Sequence, residues 1–195
     1  MNKNLVKLSK FVSLVLRHQP EVIGLKLDEN GWADVDRFIE LAKQNGKDIS
    51  RSVLEEIVET NNKQRFSFNS EKSKIRANQG HSIDIELGLT PKQPPEQLFH
   101  GTATKFIESI RQQGLVAGNR QHVHMSSDAN TATNVGQRHG KPVVLKIDTA
   151  AMHHDGFLFF CSENLVWLTE SVPPQYLNFP VNNPKTQNGI AILCF

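Results

Sequence analysis

Residues 65–77 run Arg65-Phe66-Ser67-Phe68-Asn69-Ser70-Glu71-Lys72-Ser73-Lys74-Ile75-Arg76-Ala77, and this stretch decides the fold of the N-terminal half. Phe66 and Phe68 alternate with polar residues, which is typical of a half-buried strand. The polar segment Asn69-Ser70-Glu71 supplies a turn before a second strand at Lys74-Ile75-Arg76-Ala77. The stretch therefore predicts a β-hairpin.

A helix is predicted at the start of the chain. Apolar residues recur at helical spacing from Leu5 to Leu16. Pro20 disfavours the helical conformation at the residue before it, so the helix should end near His18. Arg17 and His18 then lie on the last turn, where the helix dipole favours cations. Simple C-capping would explain these two residues as well as a functional role would.

Two further helices precede the hairpin. Asp34 suits the N-cap of a helix that runs through Asn45. Ser50 or Ser52 caps the next helix, and Ser52 forms a capping box with Glu55 in the second case. Three helices followed by a β-hairpin are the order of a winged helix, which is also a variant of DNA-binding motifs. A DNA-binding protein therefore stays among the alternatives.

The composition changes at Thr90-Pro91-Lys92-Gln93-Pro94-Pro95, where the prolines favour an extended connector. Beyond it, a helix capped by Thr104 and running through Gln113 is predicted. The apolar runs predict strands at 98–100, 143–147, 157–160, 164–168 and 190–193. We expect an α+β protein with a winged-helix lobe (1–90), a linker (91–97), a β-rich lobe (98–179) and a tail (180–195).

The 195-residue chain is 38% hydrophobic and has a net charge of +2. A nucleic-acid coat protein is usually far more basic, so any contact with RNA or DNA should use a local pocket. No apolar run reaches the roughly 20 residues that span a membrane, and the start lacks the apolar core of a signal peptide. Cys161 and Cys194 lie among apolar residues and are expected to be buried thiols in a reducing cytoplasm.

Cationic and histidine-bearing motifs recur in turns and at the ends of the predicted elements. They are Leu16-Arg17-His18, Gln64-Arg65-Phe66, Arg76-Ala77-Asn78-Gln79-Gly80-His81-Ser82, Phe99-His100-Gly101-Thr102, His122-Val123-His124-Met125-Ser126 and Gly136-Gln137-Arg138-His139-Gly140. The planar fork of arginine clamps a phosphate through two parallel hydrogen bonds. Together with histidines that titrate near neutrality, these motifs predict a site for a multiply anionic substrate.

Three of these motifs keep structural alternatives. His122 and His124 would share one face of a strand, but no second Cys or His pair has a ligand spacing, so no metal is predicted. Gly101 would let another molecule approach the backbone closely, or would mark a plain strand-to-loop turn. The loop from Arg76 to Ser82 is either a plain wing loop or a binding loop.

In the order of its motifs, the chain resembles the RNA 2'-phosphotransferases of the KptA/Tpt type, which remove the splice-junction 2'-phosphate in tRNA splicing. The resemblance covers the chain from about Leu8 to about Tyr176. It is carried by Ser9-Lys10, Leu16-Arg17-His18-Gln19-Pro20, Asp28 with Asn30-Gly31-Trp32, Arg65-Phe66, Ile75-Arg76-Ala77-Asn78-Gln79-Gly80-His81-Ser82, Phe99-His100-Gly101-Thr102, His122-Val123-His124-Met125-Ser126, Gly136 with Arg138-His139-Gly140, and Val166-Trp167-Leu168-Thr169.

The resemblance implies a winged-helix lobe and an ADP-ribosyltransferase-like lobe that binds NAD, which is consumed as a co-substrate without a metal. It implies two steps. The RNA 2'-phosphate first attacks C1'' of the nicotinamide ribose, and O2'' of that ribose then attacks the phosphate. The products are 2'-OH RNA, nicotinamide and ADP-ribose 1'',2''-cyclic phosphate. The expected partner is a tRNA-like 2'-phosphorylated RNA, with a monomer as the default.

The resemblance also assigns residues. The family's essential Arg-His-Arg-Arg set falls on Arg17, His18, Arg65 and Arg138, with His18 moving a proton in the second step. Binding of NAD falls on His100, Gly101, Thr102, His124 and Ser126. Substrate binding is predicted for Arg76, Asn78, Gln79 and His81. Val166 stands where many ADP-ribosyltransferases have a catalytic glutamate, which suits a phosphate nucleophile that needs no deprotonation.

Two other functions stay open. A winged-helix regulator with a ligand-sensing domain would need a basic recognition helix, but residues 51–60 carry Glu55, Glu56 and Glu59, which DNA phosphates repel. An ADP-ribosyltransferase that modifies another nucleic-acid or protein acceptor would keep the NAD-binding residues and differ only in its acceptor.

Overall fold

The computed structural model of the protein describes residues 3–61 and 63–180. Within these ranges the chain is a mixture of helices and small β-sheets, which confirms the α+β class. No helix in this part of the chain is long and apolar enough to cross a membrane. The predicted strand at 190–193, Cys194 and the tail from 181 onward lie outside the described residues.

Three helices occupy the first sixty residues: α1 (Lys3–Arg17), α2 (Val35–Gln44) and α3 (Arg51–Glu59). Helix α1 ends at Arg17, shortly before Pro20 and as predicted. Pro20 itself begins a 3-10 turn. The apolar faces of the three helices share one core, in which Leu16, Phe38 and Leu54 are fully buried. Because Leu16 is anchored there, the position of the C-terminal end of α1 is fixed.

Side chains cap α2 and α3. Asp34 accepts a hydrogen bond from the backbone N–H of Arg37 (2.8 Å), which confirms the predicted cap. Ser50 caps α3 by accepting from the N–H of Val53 (3.3 Å). The predicted capping box of Ser52 with Glu55 is wrong, because α3 already begins at Arg51 and leaves Ser52 inside the first turn.

The predicted hairpin is confirmed. Its strands are β2 (Phe66–Phe68) and β3 (Lys74–Ala77), which pair antiparallel with Phe66 opposite Ala77. A short strand, β1 (Ala33–Asp34), adds to β3 and gives the sheet order β1-β3-β2. Phe66 and Ile75 are buried against the helical core, so the hairpin is fixed to α1.

The C-terminal half contains two three-stranded antiparallel sheets. Its strands are β4 (Gln97–Ala103), β5 (Leu115–Val116), β6 (Val123–Met125), β7 (Pro142–Asp148), β8 (Phe160–Cys161), β9 (Trp167–Thr169), β10 (Ser171–Val172) and β11 (Leu177–Asn178). Its helices are α4 (Ile107–Gln113), α5 (Ala129–Gly136) and α6 (Thr149–His154). The sheets have the orders β11-β7-β4 and β6-β9-β8, and β10 pairs with β5. A bridge between Phe99 and Ser126 joins β4 to the end of β6.

Helix α5 lies against β4 at two glycines. A Cβ added to Gly101 would lie 1.7 Å from the carbonyl oxygen of Ala132, and one added to Gly136 would lie 2.5 Å from the carbonyl oxygen of Thr102. Only glycine permits such an approach of two backbones. The sequence leaves the space beside Gly101 open to another molecule, but the structure fills it with α5.

Several predicted boundaries differ from the structure. Thr104 begins a 3-10 turn without a side-chain cap, and α4 starts at Ile107. The strand predicted at 157–160 is reduced to β8, since residues 157–159 have no regular structure. The strand predicted at 164–168 begins only at Trp167, because Leu165 has a φ of 61° in the preceding turn.

The segment before the C-terminal half is irregular. Residues 89–95 have no helix or strand, and β4 begins at Gln97, inside the predicted linker, and ends at Ala103, beyond the predicted strand end at His100. Lys92 donates a backbone hydrogen bond to Phe159, so this segment is held on the C-terminal half. Cys161 is half-buried, whereas we expected a buried thiol, because it lies on the short strand β8.

Candidate active site

Arg17 and Arg65 meet where α1 ends. Arg17 is 9% exposed, and its Nη2 donates to the backbone carbonyl of Arg65 (3.3 Å). The Arg65 side chain is held in turn by Asn61, whose Oδ1 accepts from Nη1 (3.1 Å). Burial, with Arg65 and Arg120 nearby, lowers the pKa of Arg17 to about 10. Both guanidiniums are therefore positively charged at neutral pH and are held in place by the protein.

His18 is oriented by a residue from the loop after the hairpin. Its Nδ1 lies 2.9 Å from the hydroxyl oxygen of Ser82, and the backbone N–H of Ser82 donates to the carbonyl of Arg17 (3.0 Å). Burial, together with Arg17 and Arg120, lowers the pKa of His18. His18 is thus mainly neutral at pH 7, and its Nε2 is left for a substrate.

Arg138 comes to the same place from the C-terminal half. It lies on a 3-10 turn that continues α5, and its side chain is exposed. Burial and then the charge of Arg138 lower the pKa values of both Arg65 and Lys63, which places these cations close together. No ion pair joins Arg17, Arg65 or Arg138 to a carboxylate among residues 3–61 and 63–180. Positive charge without a counter-charge indicates a site for an anion.

The histidines predicted to bind NAD lie together on β4 and β6. The Nδ1 of His100 lies 2.9 Å from the backbone carbonyl oxygen of His124, which fixes the ring of His100. Ser126 exchanges two backbone hydrogen bonds with Phe99, both 2.8 Å long. Thr102 is 5% exposed and follows the tightly packed Gly101. The structure therefore brings these residues to one place, although Gly101 itself faces α5.

His124 links this group to the arginines. Arg120 Nη1 lies 3.4 Å from His124 Nδ1, so Nδ1 accepts and the proton of the neutral ring is on Nε2. A Cβ on Gly80 would lie 3.8 Å from that Nε2 and 3.7 Å from Arg17 Nη1. Neither His124 Nε2 nor Arg17 Nε has a hydrogen-bond partner within the part of the chain that the structure describes. Donors from both halves of the chain thus flank the same glycine.

Asn78 supports Arg65 from behind. Its backbone N–H donates to the carbonyl of Arg65 (2.9 Å), and its side-chain amide donates to the carbonyl of Gln64 (2.7 Å). Asn78 is 4% exposed, whereas Gln79, next in the loop, is half-buried. Asn78 therefore presents its unpaired Oδ1 at most, and its other groups hold the backbone that carries Arg65.

Arg76 was predicted to bind substrate, but the structure uses it between the two halves of the chain. Its guanidinium lies 4.5 Å from the centre of the Trp32 ring, and its Nη2 pairs with Glu163 Oε1 (2.6 Å). The other oxygen of Glu163 accepts from Ser67 Oγ (2.7 Å). Trp32 thus covers one face of the Arg76 guanidinium and Glu163 pairs with its Nη2, so Arg76 links the two halves. Substrate binding by Arg76 stays a prediction.

Glu163 belongs to the turn between β8 and β9, residues 162–166, which we call the β8–β9 turn. The neighbouring Asn164 donates from its side chain to the backbone carbonyl of Lys63 (2.9 Å). The turn therefore contacts the hairpin on both sides of Arg65. The last residue of the turn is Val166, which the resemblance aligns with the catalytic glutamate of many ADP-ribosyltransferases.

His81 is buried rather than open to a substrate. It is 1% exposed, and neither ring nitrogen has a partner in the described structure. Burial, followed by the charges of Arg17, His18 and Arg76, lowers its pKa to about 4. The buried neutral ring lies near the charge of Arg17, and contact of His81 with the substrate stays a prediction.

Acid should destabilise the fold through His81 and His124. Their pKa values are about 4 and about 3 in the folded protein, compared with 6.5 when unfolded. The unfolded chain therefore binds more protons below pH 6.5, and stability is lost as the pH falls from there. Urea denaturation should show the free energy of unfolding drop by about 3 kcal/mol between pH 6.5 and 5, about half of it from each histidine.

The matched variants are His81→Asn and His154→Asn, since the His154 side chain is 88% exposed. The first should remove about half of the pH dependence of stability, since His124 keeps its share, and the second should leave it unchanged. An unchanged slope in His81→Asn would contradict the assignment of a buried neutral ring.

Some site residues were not predicted. Ser82 lies in one of the histidine-bearing motifs, but no role was predicted for it. No role was predicted for Asn61, Lys63, Arg120 or Glu163 either. An asparagine four residues before Arg65 and a lysine two before it carry no specific signal, since their roles come from contacts far apart in sequence. For a metal, no cluster of three or more His, Cys, Asp or Glu occurs in the part of the chain that is described.

Comparison with known proteins gives a consistent match. The family model described as RNA 2'-phosphotransferase, Tpt1 / KptA family, matches residues 3–171. The chain is 54% identical over 180 residues to a "Probable RNA 2'-phosphotransferase" of Flavobacterium johnsoniae, covering 92% of this chain and 99% of that protein. It is 52% identical over 185 residues to a protein of the same name from Hahella chejuensis, covering 95% of this chain and all of the relative (100%).

Proposed function

We propose a function from one premise: this chain belongs to the RNA 2'-phosphotransferase, Tpt1 / KptA, family. It is therefore a transferase. The proposal is that it transfers an internal RNA 2'-phosphate to NAD as a co-substrate. The observation that carries it is the cluster of Arg17, Arg65 and Arg138, which has no carboxylate partner among the described residues and lies beside the group of His100 and His124. A phosphate and a dinucleotide are both anions, and this arrangement suits both.

We further propose that the two halves are the lobes that the resemblance implies. Three helices followed by a β-hairpin support a winged-helix lobe, and the paired three-stranded sheets support an ADP-ribosyltransferase-like lobe. On this proposal the N-terminal lobe holds the RNA phosphate through Arg17, His18 and Arg65. The C-terminal lobe holds NAD and contributes Arg138.

The reaction has two balanced steps. First, an oxygen of the 2'-phosphate bonds to C1'' of the ribose as the bond from C1'' to nicotinamide breaks. Second, ribose O2'' bonds to phosphorus as the bond from phosphorus to the RNA O2' breaks, and the proton of O2'' passes to the RNA. This yields 2'-OH RNA, nicotinamide and ADP-ribose 1'',2''-cyclic phosphate.

On this proposal, the arginines and His18 are the protein groups that act on the phosphate and on the ribose hydroxyl. Arg17, Arg65 and Arg138 hold the phosphate and stabilise the charge that develops on it during the second step. His18 is neutral at pH 7, so its Nε2 accepts the O2'' proton and then gives it to the RNA oxygen. No carboxylate base is needed in the first step because a phosphate is already an anion, which agrees with an apolar residue at Val166.

Unpaired ring nitrogens suit a bound dinucleotide, with His124 Nε2 as a donor and His100 Nε2 as an acceptor. His124 Nε2 is buried without a partner, and His100 is held at Nδ1 so that its Nε2 stays available. We propose that these two atoms, with Thr102 and Ser126, bind NAD, and that Gly101 acts by admitting α5. Gln79 is proposed to face the RNA from the other side, while Asn78 offers its Oδ1 and holds the backbone that carries Arg65.

Ser82→Ala should slow the second step about 10-fold, because His18 loses the partner that fixes its ring and tautomer. The backbone bond from Ser82 to Arg17 remains in this variant, so only the hydroxyl is tested. Single-turnover kinetics should show ADP-ribosylated RNA accumulating and the pH profile of its decay shifting. Ser82→Thr keeps a hydroxyl and should restore the rate; equal rates for the alanine and threonine variants would rule out the positioning role.

The proposed setting is a cytoplasmic enzyme acting on a tRNA-like RNA. A monomer is proposed as the default oligomeric state. No membrane-crossing helix is found among the described residues.

The test is incubation with an RNA that carries one internal 2'-phosphate, with and without NAD, followed by mass analysis of both products. Loss of the phosphate that depends on NAD, with ADP-ribose cyclic phosphate formed, is the expected result. RNA that keeps its phosphate and gains ADP-ribose elsewhere would instead indicate a transferase with another acceptor. No reaction in either sample would refute the proposal.

A further inference from the structure

The solvent face of α1 carries a row of lysines. Lys3, Lys7 and Lys10 are separated by four and three residues, so they lie on one side of the helix. All three are exposed, and the buried residues of α1, such as Leu8 and Val12, lie on the opposite side. We call these three residues the α1 lysine row.

The row leads to the candidate active site. The same spacing continues through Leu14, which is 38% exposed, to Arg17 at the end of the helix. With a rise of 1.5 Å per residue, Lys10 is about 10 Å and Lys3 about 21 Å along the axis from Arg17. An extended polyanion bound at Arg17 would pass over the lysines if it followed the helix.

The other two N-terminal helices do not carry a comparable row of positive charge, so the α1 lysine row is not a general feature of the helix surfaces in this half. The exposed face of α2 mixes charges, and Arg37 pairs there with Glu40 (2.7 Å). Helix α3 is acidic, with Glu56 and Glu59 exposed and Glu55 half-buried. By contrast, α1 contains no Asp or Glu at all.

The lysines of the row are not neutralised by neighbours. Within residues 3–61 and 63–180, no carboxylate lies within ion-pair distance of any of them. The net charge of the whole chain is only +2, so this uncompensated charge is local. Its partner should be an elongated anion that reaches the active site.

We propose that the α1 lysine row binds the phosphodiester backbone of the RNA that flanks the 2'-phosphate. This inference rests on the proposed function for the identity of the substrate. One strand of a duplex has a phosphate about every 3.4 Å along the axis, so the row corresponds to phosphates roughly three to six nucleotides away. A dinucleotide that carries the 2'-phosphate is too short to reach it.

The experiment compares two probes in binding and turnover. One is a fluorescein-labelled RNA stem-loop with one internal 2'-phosphate, and the other is a dinucleotide with the same phosphate. The full chain carries either Lys3→Gln, Lys7→Gln and Lys10→Gln together, or the control Lys92→Gln, Lys105→Gln and Lys146→Gln. The control removes the same charge from exposed positions in the C-terminal half.

We expect the first triple variant to bind the stem-loop about ten-fold more weakly at 0.1 M salt by fluorescence anisotropy. The slope of log Kd against log salt should fall by about 2 to 3. Turnover of the dinucleotide should stay unchanged in both triple variants.

Three results would overturn the proposal. The row variant could bind the stem-loop as tightly as the wild type, or the control variant could weaken stem-loop binding as much as the row variant does. The third is that the row variant loses as much activity on the dinucleotide as on the stem-loop. Binding and turnover are separate measurements. Turnover by the wild-type protein therefore tests the proposed reaction independently of the proposed RNA-binding surface. If it binds the stem-loop through the row but turns over neither probe, the proposed reaction fails and the RNA-binding surface stands.

Discussion

Arg65→Ala should slow phosphate transfer in the second step by at least about 100-fold, while nicotinamide release continues. Removing one preorganised donor to a developing charge costs that much in other enzymes, since water replaces it poorly. Arg65 lies in the N-terminal half, and its hydrogen bonds are with Asn61, Asn78 and Arg17 instead of the histidines proposed to bind NAD. Rapid quenching with labelled RNA should therefore show the ADP-ribosylated intermediate persisting at close to one equivalent.

Arg51→Ala is the matched control. Arg51 is also an arginine of the N-terminal half, but it pairs with Asp36 (2.7 Å) at the surface, with 43% of its side chain exposed. Both steps should be unchanged in this variant. Loss of NAD affinity in Arg65→Ala would show that the assignment of the two lobes is wrong.

Gly101→Ala should destabilise the C-terminal half by at least about 4 kcal/mol, because no side-chain movement relieves a clash between a Cβ and a backbone carbonyl. The added carbon would lie 1.7 Å from the oxygen of Ala132 and 2.5 Å from its carbonyl carbon. Helix α5 would have to move away from β4, and Arg138 would move with it. Thermal unfolding and NAD binding should both reveal the loss.

Gly118→Ala provides the comparison. Gly118 has a φ of 61°, but a Cβ there meets nothing within 4 Å. The expected cost is only about 1 kcal/mol, from the left-handed backbone conformation. If Gly101→Ala were as mild as Gly118→Ala, the close packing of α5 on β4 would be incorrect.

The local features of the fold follow well from the sequence. Pro20, Asp34 and the alternation of Phe66 and Phe68 each act on their neighbours, so the end of α1, the cap of α2 and the hairpin are as predicted. The cap of α3 is harder to assign, because Ser50 and Ser52 have the same chemistry and only the course of the helix separates them.

Long-range packing limits what could be predicted of the site. Nothing around Arg76 distinguishes an arginine that binds a ligand from one that pairs with Glu163, since the two residues are 87 positions apart. His81 likewise looks like any loop histidine until its burial is known. Gly101 shows a related difficulty: the sequence indicates a close approach, but the approaching group comes from α5.

The β8–β9 turn has a consequence for protein engineering. With Leu165 74% exposed at a positive φ, it resembles a surface loop suited to a tag or a fluorescent insert. Yet its side chains hold the hairpin at Ser67 and at the backbone of Lys63. An insert there would separate the half proposed to bind the RNA phosphate from the half proposed to bind NAD, so labels belong elsewhere on this molecule.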